Sequence, residues 1–209
     1  MNETKKGLRI ISGILLLILA CFSVLSVASL LIAMKGHMET IRMSLLQTAI
    51  IALLGILTAV FILARKFTVT AVIRCLLLGF SAVTTVLPLI SKMKGASFDS
   101  LLSNLSTDFL SGTVWLVGTV AAILLIVGLF LHNRKAKPLL IVAAVLSTAA
   151  SIGQAGTIVL HTIGSSGSAD ALNVSALSVS VALTIVPALL GMLAWILLGV
   201  YFGAQQQDA

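Results

Sequence analysis

Arg74 is the charged residue that stands most clearly inside an apolar run, about two turns into the stretch 68–91. If that stretch crosses a bilayer, a guanidinium there costs about 2.5–3.5 kcal/mol on insertion scales and marks a functional suspect. Two roles fit. Its flexible stem can reach back along the helix axis, roughly 12 Å, to lipid headgroups, or the charge can hold an anion or a partner. Arg134, in the cluster Arg134-Lys135-Ala136-Lys137, is the second candidate for anion or headgroup contact.

The other residues able to do chemistry gather in the fifth apolar run. Ser147, Thr148, Ser151, Gln154 and Thr157 are set among Ala149, Ala150, Gly153, Ala155 and Gly156. Ser147, Ser151 and Ala155 make one small-residue row at helical spacing, and Ala149 with Gly153 another, so neighbouring helices can approach closely and share hydrogen bonds. Two readings stay open: a central packing helix, or the polar wall of a cavity with Gln154 as the orienting group and Ser178 contributing from the sixth run. Pro187 interrupts that sixth run, removes a backbone donor to Leu183 and predicts a kink or hinge; Pro88 does the same more mildly in the third.

Catalytic and metal-binding signatures are missing from the sequence. There is no His-Glu-x-x-His pair, no Gly-x-Ser-x-Gly elbow and no phosphate-cradling Gly-x-x-x-x-Gly-Lys loop. His37, His132 and His161 fall at run ends on different sides, so they cannot share a metal. Cys21 and Cys75 lie mid-run without paired spacing and read as small hydrophobes. The expectation is a non-enzymatic protein with no cofactor, no metal and no catalytic residue.

The elements that must position these residues follow from composition. Of 209 residues 59% are hydrophobic and 9% charged, whereas soluble domains carry about 25% charged residues. Apolar runs long enough to cross a hydrocarbon core recur along the whole chain, and they are continuous rather than alternating, so they are helices and not barrel strands. Six spans result, at about 8–34, 44–64, 68–91, 113–131, 138–163 and 174–202. The fold expected is all-α: one integral membrane domain over 1–209, a polytopic up-and-down bundle of six spanning helices. The formal charge of +7 is scattered in small clusters without interleaved aromatics, which excludes a nucleic-acid surface.

Those clusters report topology. With the N-terminus inside, Lys5, Lys6, Arg9, Arg65, Lys66, Arg134, Lys135 and Lys137 are cytoplasmic, and Lys35, Arg42, Lys92 and Lys94 are not. Eight against four satisfies the positive-inside rule and puts both termini in the cytoplasm, in the style of a bacterial inner membrane protein. Lys5, Lys6 and Arg9 before an apolar stretch also resemble a signal peptide, but apolar sequence continues to Met34, so a retained first helix is expected. Between the third and fourth spans, Phe98, Leu101, Leu102, Leu105 and Phe109 recur at three- and four-residue steps, predicting a short external amphipathic helix over about 97–110, a lid or an interfacial helix. Lys6–Gly36, Lys66–Gly95 and Lys135–Gly164 are of nearly equal length, a weak sign of three repeated hairpins.

The partners implied are the lipid bilayer and other membrane proteins or a second copy. Short loops and the lack of buried acids favour an accessory or assembly subunit. The alternative is a small-molecule or lipid transporter or channel with a cavity near spans five and six, which a membrane-depth cavity lined by Ser151, Gln154 and Ser178 would mark.

Overall fold

The computed structural model describes residues 3–33, 38–95, 105–165 and 174–205. They form six helices: α1 (Glu3–Ala33), α2 (Met38–Leu63), α3 (Phe67–Gly95), α4 (Leu105–Leu131), α5 (Ala136–Ser165) and α6 (Val174–Gln205). Each holds an apolar segment of 18 to 24 residues, long enough to cross a membrane. The expected all-helical, six-span membrane bundle is what the chain forms.

The helices overrun the spans at most ends. α4 starts at Leu105 and not near 113, because no proline separates the polar stretch from the apolar one. The later part of the expected external helix is therefore the opening of α4, while residues 97–104 lie outside those described.

Each helix packs on the two that flank it in sequence, and α6 returns to α1, so the six close a ring. That is the order three consecutive antiparallel hairpins produce. Packing around it is unequal: α4, α5, α6, α1 and α2 hold one another extensively, and α3 is held least by its two neighbours. Glycines set the close approaches. A Cβ at Gly128 would lie 3.0 Å from Leu140, one at Gly153 2.7 Å from Val114, and one at Gly199 3.3 Å from the carbonyl oxygen of Lys137, so the α4–α5–α6 contacts depend on missing side chains.

Two tight turns lie at the end that also carries the described starts and finishes of α1 and α6, called here the basic end. After α2, Arg65 takes φ 61°, and its N–H donates to Ile62 O (3.1 Å) while that of Lys66 donates to Phe61 O (2.9 Å). This is a Schellman stop built without glycine. After α4, Asn133 Oδ1 accepts from the Lys135 N–H at 2.9 Å and starts α5.

The large buried side chains gather toward this end. Ile62, Leu129, Leu140, Leu198, Tyr201 and Phe202 are all fully enclosed. Phe67 meets Phe202 edge-on at 4.7 Å between ring centroids and Tyr201 at 6.1 Å. Together they plug the ring. Nearer the other end, the buried described residues are small: Ala20, Ala52, Ala121, Thr148 and Ala155.

Candidate functional site

The direction in which each α5 side chain points decides what its polar residues can do. Leu140 is 0% exposed and touches both Gly128 of α4 and Gly199 of α6, so it marks the side that looks into the ring. Pro138, Val142, Val145, Ala149, Ile152 and Gly156 are exposed on the opposite side, which looks outward. Residues seven apart in a helix differ by only about 20° in direction. Ser147 and Gln154 therefore share the inward side with Leu140, and Ser151 lies within the same sector.

Yet Ser147 and Gln154 are exposed, and Ser151 is half-buried. An inward residue can be exposed only where the ring interior is open. Climbing α5 from the basic end, the interior passes from the closed plug at Leu140 to an accessible polar wall at Ser147, about 16 Å up by helical rise, and on to Gln154.

Ser12 Oγ of α1 donates across to Ala194 O of α6 (2.8 Å), but three hydroxyls of α5 bond to their own helix. Ser151 Oγ donates to Ser147 O (3.0 Å), Thr157 Oγ1 to Gln154 O (2.7 Å) and Thr148 Oγ1 to Ala144 O (2.9 Å). Such back-bonds silence a hydroxyl without a neighbour. The primary amide of Gln154 has two donors and an acceptor, so it is the group on this wall best equipped to orient a ligand. The structure brings Ser147, Ser151 and Gln154 to the interior and Pro187 to the same side of α6 as Leu198. Thr157 lies to one side of that wall, toward α4. Ser178 shares a face with the exposed Leu189, on the outer side of α6.

Arg74 completes the site from α3. Phe67 packs level with Tyr201 and Phe202, and Arg74 and Trp195 each lie roughly 10 Å above that level along their own helices. The guanidinium carbon sits 4.9 Å from the centre of the Trp195 ring. The side chain thus runs across the ring at its own depth and caps the plug as a cationic floor beneath the open wall. Its Nε is walled off with no hydrogen-bond partner. The cation–π contact offsets part of the burial, by roughly 0.5–2 kcal/mol, and leaves the N–H edge of the guanidinium unused by the tryptophan.

Arg134 belongs elsewhere. It is exposed in the α4–α5 turn, where its carbonyl accepts from the Lys137 N–H at 3.3 Å. Nearby, Arg65, Lys66, Phe67, Thr68, Val69 and His132 line a shallow groove of about 300 Å³ on the basic end, below the plug. His132 stacks on Phe67 at 6.5 Å between ring centroids, and its Nδ1–H donates to Phe130 O at 2.7 Å.

Two structural roles escaped the sequence reading, that of Arg9 and that of a glycine pair in α6. Arg9 Nη1 donates to Ile62 O (3.3 Å) and to Leu63 O, adding a charged donor to carbonyls of the last turn of α2, where Ile62 O also accepts from the Arg65 N–H. Gly199-Val-Tyr-Phe-Gly203 is a Gly-x-x-x-Gly pair whose first glycine seats α6 on the main chain of α5, a signal readable in the sequence. Among the described residues no group of three or more His, Cys, Asp or Glu side chains could hold a metal. No protein-family model, no curated protein and no solved structure matches the chain.

Proposed function

We propose that the protein is a non-enzymatic carrier that receives a small molecule or a lipid inside its six-helix ring. One observation carries this reading: Ser147 and Gln154 are exposed on the inward side of α5, above a plug in which Leu140 on the same side is fully enclosed. A compartment closed at one end, walled by polar groups and floored by Arg74 and Trp195, has the features of a binding site: a concave space with a few convergent polar groups. α3, the least tightly held helix, supplies both Phe67 of the plug and Arg74 of the floor. Its displacement would open the plug, which is how a carrier exposes its ligand to the second side.

An accessory or assembly role rests on small-residue faces left over for partners. Gly128, Gly153, Gly199 and Gly203 engage neighbours within the ring instead, and the outer surface is largely aliphatic. The bias of eight basic residues at the plugged end supports an orientation with both termini in the cytoplasm of a bacterial cell, so the compartment opens outward.

The test uses single cysteines in a Cys21→Ala/Cys75→Ala background reconstituted in proteoliposomes. Ser147→Cys and Gln154→Cys should react with a membrane-impermeant thiosulfonate, while Leu140→Cys in the plug and Val145→Cys facing lipid should not. Equal protection at all four positions would mean a dry bundle and would end the carrier reading.

A further inference from the structure

We infer that the ligand of this compartment carries an oxyanion, a carboxylate or a phosphate, and that Arg74 binds it. The inference rests on the carrier reading above, and it starts from how differently the two arginines within the apolar segments are treated. Arg9 donates to the carbonyls of Ile62 and Leu63. Both keep an Nε enclosed by protein without a partner; the difference is that among the described residues Arg74 meets no such carbonyl, only the Trp195 ring, while the residue as a whole stays part-accessible.

Among the described residues no acid neutralises it from a neighbouring span. The six acidic residues are Glu3, Glu39, Asp99, Asp108, Asp170 and Asp208, and of these Glu3 alone touches an apolar segment, at its first residue. Trp195 covers one face of the guanidinium, which directs further recognition to the planar N–H edge. That edge matches the two oxygens of a carboxylate or phosphate in a fork. Within the ring, Arg74 is at the floor, and the next polar groups upward are Ser147, the back-bonded Ser151 and the Gln154 amide, which can contact the neutral remainder of a ligand. A cationic ligand would meet like charge at the floor.

Two sources supply this chemistry: a soluble anion entering from the open end, or the headgroup of an anionic phospholipid. The chain has two tryptophans, so Trp115→Phe leaves Trp195 as the sole indole reporter beside Arg74. This variant, in nanodiscs of phosphatidylcholine, is titrated with inorganic phosphate, and in parallel is placed in nanodiscs with increasing phosphatidylglycerol. A saturable change in Trp195 emission with phosphate identifies a soluble oxyanion, and a change only with phosphatidylglycerol identifies a headgroup. Arg74→Gln should weaken either response roughly ten- to a hundredfold, the range for losing charge-assisted hydrogen bonds. Arg74→Lys, which keeps charge without the planar fork, should fall between and guards against a folding defect in the glutamine variant. Absence of a response to both probes, with Ser147→Cys still labelled from outside, would overturn the oxyanion inference and leave the open compartment standing. Loss of labelling at Ser147→Cys would overturn both.

Discussion

Gly199→Leu offers a direct measure of how far the ring depends on one close approach. A Cβ at this position would lie 3.3 Å from the backbone oxygen of Lys137, 3.4 Å from Leu140 Cβ and 3.6 Å from Ile141 Cγ1. The first two are fixed to the backbone of α5 and cannot swing away, so the remaining carbons of a leucine force the helices apart. Overpacking costs about 1–3 kcal/mol, and the upper end applies where the obstacle is main chain. About 1 kcal/mol returns because leucine is a better helix former than glycine. The net destabilisation is about 2 kcal/mol, a factor of roughly thirty in the unfolding equilibrium. Gly203→Leu is the internal control. Its Cβ would meet Lys137 Cδ at 2.7 Å, but that is the far end of a flexible, exposed side chain, so the expected change is within about 0.5 kcal/mol. Unfolding in mixed micelles with rising dodecyl sulfate, followed by tryptophan emission, reads both. Equal stability of the two leucine variants would refute the claim that main-chain contact at Gly199 seats α6 on α5.

Three further outcomes are expected. Phe202→Ala, which removes the edge-on partner of Phe67, should raise passive leak of a small dye from proteoliposomes, while Phe130→Ala on the outer surface should not; unchanged leak would mean that these rings do not seal the ring. Arg9→Met should cost about 2 kcal/mol by leaving the α2 terminal carbonyls without their charged donor, with Arg9→Lys nearer to wild type in the same micelle assay. Lys135→Cys, in the background lacking Cys21 and Cys75, should react with an impermeant maleimide in inside-out vesicles and be protected in intact cells; the reverse pattern would invert the proposed orientation.

The elements were legible because crossing a bilayer needs length and apolarity, both one-dimensional properties. Arg65-Lys66 and His132–Lys137 marked the two tight turns for the same reason, as the short polar interruptions between long runs. What the sequence hid was direction. A soluble amphipathic helix announces its buried face by contrast, but a helix with lipid on one side and apolar neighbours on the other shows little contrast. α5 carries Leu140 and Val145 on opposite faces with equal hydrophobicity, and only burial separates them: 0% exposure for one and 51% for the other. For that reason Ser147, Ser151 and Gln154 could be read equally as packing groups or as a cavity wall. Ser178 was grouped with them by composition, and its place on the outer side of α6 follows from a helical phase that sequence alone could not anchor to a neighbour.

The contrast between Arg9 and Arg74 shows why depth matters more than residue type in such a ring. A helix offers free carbonyls only in its last turn. Arg9 lies in α1 where the antiparallel α2 finishes, so the oxygens of Ile62 and Leu63 are within reach, Ile62 O also accepting from the Arg65 N–H. Arg74 lies roughly 10 Å above the level where α3 begins, and at that depth no described helix starts or stops. The surrounding main-chain carbonyls are engaged in their own helices, and the hydroxyls nearby on α2 and α3, Thr58 and Thr70, donate back to Leu54 O and Lys66 O. What remains for a guanidinium at that level is an aromatic face, which Trp195 provides, and an acceptor from outside the chain. Moving the same charge down by about one turn, as in an Arg74→Leu/Thr70→Arg double variant, would bring it within reach of the turn carbonyls at the α2–α3 junction. Any response of Trp195 to an oxyanion should then disappear while the basic end gains a cation, and persistence of that response would show that the position of the charge is not what matters.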